Sequence, residues 1–164
     1  MKLFSAAFLL VSTVVVGLAV AQTETHRHHV IAPLADAQWG PAPPMLPAGA
    51  QIAVLAGDPT KAASYAVRLK FPPNYTIPAH SHPTDENVVV VSGEFIAGVG
   101  DVVNKTAAKG LGVGGFAQLP AGMNHFAFTR QETTIVLFGI GPVEFKYVNP
   151  SDDPRNARRT TDSK

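Results

Sequence analysis

Three of the six histidines in this chain stand in two short stretches that can do chemistry together. The first reads His80-Ser-His82-Pro-Thr-Asp-Glu86 and runs on into the valines of 88–91. The second, PAGMNHFAF, carries His125. On extended backbone His80 and His82 are i and i+2, so their rings share one face, and Ile77, Ala79 and Ser81 take the other. Glu86 opens the next strand, with Val88 and Val90 on its side. Asp85, one residue earlier, turns outward by strand parity. His125 follows a tight turn at Gly122 and shares its face with Met123, Ala127 and Thr129. Three neutral imidazoles and a carboxylate form a nitrogen and oxygen donor set for a divalent first-row transition metal: Mn, Fe, Co, Ni, Cu or Zn. The chain has no cysteine, which excludes thiolate ligation and thiol catalysis. Spacing alone leaves two other readings open. The His-x-His pair can be a polar patch at a strand end, and His125 can be a packed histidine beside Phe126 and Phe128.

The elements that must hold these side chains read as short strands separated by turns. Strand patterns cover 51–56, 64–71, 76–82, 86–91, 95–99, 113–119, 124–128, 133–140 and 143–148, and residues 104–109 suggest one helical turn. In 64–71, Tyr65, Val67, Leu69 and Phe71 face one way and Arg68 and Lys70 the other. Many short strands with glycine turns predict an all-β sandwich or barrel. Small inward residues (Val88, Ala127, Thr129) leave space beside the proposed metal, with Met123 at its rim. Tyr65 and Phe71 are core residues first and candidate liners second. The spacing places no arginine or lysine to grip an anion, so the expected ligand is a small organic molecule rather than a polymer.

The flanks read differently. Residues 1–21 combine a basic start, an apolar run and a small-x-small end at Ala19-Val20-Ala21, the make-up of a cleaved secretory signal peptide. The expected location is therefore periplasmic or secreted, with no membrane anchor. Residues 22–44 read as an N-terminal arm carrying His26, His28 and His29. Four prolines in 40–49 exclude a helix and a central strand there. Residues 45–150 form the domain and 151–164 a polar tail. Basic and acidic residues number 13 and 12, and Lys2 leaves with the leader, so no nucleic-acid partner is expected.

The segment HSHPTDENVVVVSG resembles the first motif of the cupin family, with His80, His82, Glu86 and Gly93 in place. GGFAQLPAGMNHFAFT resembles the second, with Gly114, Pro120, Gly122 and His125 in place. Two positions depart. Asn74 stands where the motif has glycine, and asparagine tolerates left-handed backbone. Thr129 stands where it has asparagine, which bears on pocket lining or turn structure and leaves the ligands intact. The resemblance implies a cupin-type double-stranded β-helix, a jelly-roll barrel. It implies that His80, His82, Glu86 and His125 hold the metal, with water or substrate completing its sphere. Three histidines and one glutamate recur in cupin dioxygenases, so it points to a metal-dependent dioxygenase, with Glu86 also acting as base. The alternative is a non-catalytic metal or small-ligand binding protein of the periplasm. Pairing of N-terminal strands in related cupins implies a homodimer.

Overall fold

A computed structural model describes residues 30–156. The leader 1–21, His26, His28 and His29 of the arm, and 157–164 of the tail lie outside the described residues. The described residues form eleven strands: β1 (Gly40–Pro41), β2 (Gln51–Ala56), β3 (Ser64–Phe71), β4 (Thr76–Ser81), β5 (Glu86–Ser92), β6 (Phe95–Val99), β7 (Lys109–Leu111), β8 (Phe116–Leu119), β9 (His125–Phe128), β10 (Thr133–Ile140) and β11 (Lys146–Tyr147). They form a six-stranded sheet in the order β1-β2-β3-β10-β5-β8 and a five-stranded sheet in the order β11-β4-β9-β6-β7. From β3 to β6 and again from β8 to β11 each strand lies in the sheet opposite its predecessor. Strands that pair within a sheet are therefore mostly distant in sequence, and the architecture resembles a cupin jelly roll. Among the described residues no strand ladder joins the two sheets; they meet through side chains.

Period-two patterning makes that meeting possible. Across β3, β10 and β5 the inward side chains align in rows: Leu69–Ile135–Val90, then Val67–Leu137–Val88, then Tyr65–Gly139–Glu86. The first two rows are apolar and buried, and they pack with Ile77, Phe95 and Ala127 of the facing sheet. Burying each large side chain contributes about 1.5–3 kcal/mol. The third row ends in a carboxylate, and there the apolar face gives way to the polar site.

Several expectations change. Residues 104–109 form a turn rather than a helical segment: the Asn104 side chain accepts from the backbone N–H of Thr106 and Ala107. The chain then enters β7, which the sequence did not announce. β8 starts at Phe116 rather than Val113 because Gly112 to Gly115 closes a turn, with Gly115 N–H donating to the Gly112 carbonyl. β11 is shorter than 143–148. The proline-rich stretch does form a strand, β1, at the sheet edge, where a proline without an N–H costs no ladder bond.

The described part of the arm lies against the six-stranded sheet of its own chain. Arg68 donates to the carbonyls of Ala32 (2.9 Å) and Pro33 (3.4 Å), and Lys70 Nζ sits 4.4 Å from the Trp39 ring centre. The face of β3 opposite Tyr65 is thus covered by residues 32–39. Two buried tyrosines fasten the next stretch across one end of the sandwich. Tyr75 donates to the Pro47 carbonyl, and Tyr147 donates to that of Met45 at 2.6 Å. No helix among the described residues is long and apolar enough to cross a membrane.

Candidate metal centre

β4 brings two of the histidines, and it does so through an irregularity. Its ladder with β9 pairs Ile77 with Ala127 and His80 with His125, a register shift that inserts one extra residue in β4. Pro78 lies in the bulge, one of the few places a strand tolerates proline. The bulge corrects the simple face assignment. Ile77 points into the core on the same side as His80, whereas Ala79 joins an outer cluster with Ile96, Phe126 and Phe128. His82 follows directly after β4, and its carbonyl accepts from Gly122 N–H at 2.8 Å. Gly122 has φ of +73°, a left-handed turn that a side chain would strain. The turn is also held by Asp85, whose carboxylate accepts from Ala121 N–H at 2.8 Å. Asp85 therefore faces away from the histidines and fastens the loop that delivers His125.

The three rings converge. One ring nitrogen from each of His80, His82 and His125 lies within 4.8 Å of the others, and all three residues are buried. Each Nδ1–H donates to a backbone carbonyl: His80 to Pro78 (2.7 Å), His82 to Glu144 (2.7 Å) and His125 to Met123 (2.9 Å). These bonds fix the tautomer and leave every Nε2 lone pair free to face the centre, the arrangement that metal-binding histidines adopt. Glu86 reaches in from the opposite sheet. Its Oε2 lies 2.5 Å from His82 Nε2 and 3.8 Å from His125 Nε2. His82 Nε2 is nonetheless buried without an aligned hydrogen bond. A cation shared by that nitrogen and the carboxylate would satisfy both, so the donor set fits a divalent transition metal.

Burial also favours the neutral form of two of the imidazoles, His80 and His125. It pushes His80 from its ordinary 6.5 down to about 2, with His125 and His82 adding to the effect. Burial likewise lowers His125. It lowers His82 too, but the adjacent Glu86 carboxylate outweighs it and the net shift is upward. Neutral rings are the forms that ligate.

Residues 31–163 match the family described as a domain of unknown function, DUF4437. The chain belongs to the DUF4437 family. Among solved structures this DUF4437 protein is similar to the polyketide cyclase RemF of Streptomyces resistomycificus: 17% identity, 80% of this chain, 94% of that one and a TM-score of 0.61. It is also similar to a Methylibium petroleiphilum PM1 protein with the provisional name acetylacetone dioxygenase: 14% identity, 93% of this chain, 98% of that one and a TM-score of 0.59. At such identities the likeness concerns the fold alone. A rice protein (Oryza sativa subsp. japonica) with the provisional name germin-like protein 9-2 is 39% identical over 69 residues. That match covers 42% of this chain and only 32% of the rice protein.

Three spaces surround the DUF4437 centre. A chamber of about 20 Å³ touches His80, His125, Glu86 and Ala127. A cavity of about 110 Å³ runs from Glu86 over the inner face of the six-stranded sheet, under residues 43–46 and 143–145, toward exposed Thr60. On the other side, a groove of about 550 Å³ reaches His82, Glu144 and Asn124. Phe145 lines all three. Its ring stacks on His80 at 4.3 Å between centroids and meets His82 edge-on at 4.5 Å. Sequence reasoning did not single out Phe145; the alternation Phe145, Lys146, Tyr147 was its signal. Two expected liners are displaced. Val88 is wholly buried in the core, and Thr129 lies at the far end, where its hydroxyl donates to the Pro72 carbonyl at 2.8 Å and accepts from Tyr75 N–H. Met123 contributes its carbonyl rather than a rim side chain. Phe71 lines the chamber, and Tyr65 the cavity, each from within the core.

Proposed function

We propose that this cupin is a metal-dependent dioxygenase acting on a small organic substrate. His80, His82 and His125 would hold the metal and Glu86 would complete the donor set. The observation that carries the reading is the convergence of three Nε2 atoms, each fixed by an Nδ1 bond to backbone, on a carboxylate that also borders a cavity. A bound metal with open positions supplies a Lewis-acidic docking point for a substrate oxygen and for dioxygen. The chain's own residues do the rest. Glu86, facing both the histidines and the cavity, accepts a proton from the substrate. Phe145 covers His80 and His82 and limits water between groove and chamber. The cavity walls hold the substrate against Glu86.

A second reading is a non-catalytic binding protein. It is favoured by the cavity's lining, in which Glu86 and Tyr65 alone have titratable side chains. Oxygen uptake by iron-, manganese-, nickel- and copper-loaded protein with catechols and diketones separates the two. Uptake lost in His82→Ala upholds the enzyme; tight metal retention with no uptake for any loaded form moves the reading to the binding protein. We also propose that the chain works after export, from the signal-like make-up of residues 1–21, and that it pairs as a homodimer, which light scattering tests.

A further inference from the structure

We propose that the cavity beside Glu86 selects a small, uncharged, mostly apolar molecule with one oxygen function, and that the Tyr65 hydroxyl donates to that oxygen. This rests on the metal-centre reading only for the direction in which the oxygen points; the selectivity comes from the cavity's own walls.

Size sets the first limit. The cavity holds about 110 Å³, and an apolar cavity of roughly 150 Å³ takes benzene. One ring or a short branched chain fits; a sugar chain or nucleotide does not. Wall chemistry sets the second. Leu46, Ile52, Val67, Leu69, Leu137 and Val143 supply most of the surface, and among the described residues no lysine, arginine or histidine lines it. An anion entering would find no counter-charge and would meet the Glu86 carboxylate, which stands between this cavity and the imidazoles. Leaving a charge unpaired against apolar walls is costly.

The third limit is a single hydroxyl. Of the three tyrosines, Tyr75 and Tyr147 donate to backbone carbonyls. Tyr65, only 6% exposed, makes no hydrogen bond among the described residues although it lines the cavity. Its neighbours in register explain why it leans toward Glu86. Gly139 lies between Tyr65 and Glu86 in the sheet, and a Cβ there would sit 3.7 Å from the Tyr65 hydroxyl. Absence of that side chain leaves room for the Asp85 carbonyl, 2.8 Å from where the Cβ would stand, and for the Tyr65 ring beside it. The residue is buried but its hydroxyl oxygen is accessible and unpartnered, so a ligand acceptor in the cavity can take its hydrogen bond.

Titration of metal-free and zinc-loaded protein with phenol, benzene and benzoate, followed by ligand-observed NMR, tests this. Phenol should bind both forms and benzoate neither. Tyr65→Phe should weaken phenol by about three- to tenfold, the range of one neutral hydrogen bond, and leave benzene unchanged. Leu137→Phe should fill the cavity and abolish phenol and benzene binding while zinc uptake persists. Benzoate binding as tightly as phenol would overturn the proposal, as would phenol binding that ignores Tyr65→Phe or survives Leu137→Phe. Failure of zinc uptake beside Tyr65-dependent phenol binding would sink the metal reading and uphold the cavity.

Discussion

Zinc should stabilise the native protein, and replacing His82 by alanine should remove that effect. The ligands come from β4 and the residue following it, from β9, and from β5 in the other sheet, so a bound ion ties the two sheets together. The unfolded chain has no such constellation, and binding energy becomes folding energy. With free zinc at 100 times the dissociation constant, linkage supplies about 2.7 kcal/mol. For a domain of this size each kcal/mol moves the melting midpoint by about 3–5 °C, giving a rise of about 8–13 °C. The metal-free His82→Ala variant behaves differently. It loses the ring's packing against Phe145, about 2–4 kcal/mol for a buried large-to-small change. It also loses the Nδ1 bond to the Glu144 carbonyl and the nearest partner of the Glu86 carboxylate, so without metal it melts below wild type. Thermal unfolding by circular dichroism, chelated against zinc-loaded, reads both quantities. A zinc-induced rise that is equal in wild type, His82→Ala and His125→Ala would refute the site.

Burial holds all three tyrosine hydroxyls above their ordinary 10. The folded state thus keeps protons the unfolded state gives up: stability is full below pH 10 and falls as pH rises beyond it, so absorbance at 295 nm should change together with unfolding rather than before it. Gly93→Ala should cost about 2–4 kcal/mol in urea unfolding, because φ is +75° and a Cβ would stand 2.4 Å from the Glu132 carbonyl oxygen; an unchanged midpoint would contradict this. Thr129→Val should cost about 1–3 kcal/mol by deleting the hydroxyl's bonds to Pro72 and Tyr75, yet leave zinc and phenol binding unchanged.

Much of this was legible from residue types. The bounds of β3 follow from alternation, because it buries one face, and those of β2, β6 and β10 from apolar runs closed by turn residues. The His-x-His pair and Glu86 were visible because motif spacing puts them at the mouth of consecutive strands. What stayed hidden was non-local. The bulge in β4 arises from pairing with β9, and nothing in TIPAHS by itself says that Ile77 and His80 share a side. β1 and β7 exist because an edge was available to them. Glu144 is exposed and unremarkable in sequence, yet its carbonyl orients His82.

The position of β10 bears on when a metal can be held. Residues 133–140 occupy the middle of the six-stranded sheet, between β3 and β5, although they follow both in the chain. Until they arrive, β5 has no inner neighbour to hold Glu86 opposite the imidazoles. A nascent chain therefore carries the donors without their geometry, and non-local pairing of this kind is slow to form. An ion bridging the two sheets can then be held only once β10 has paired.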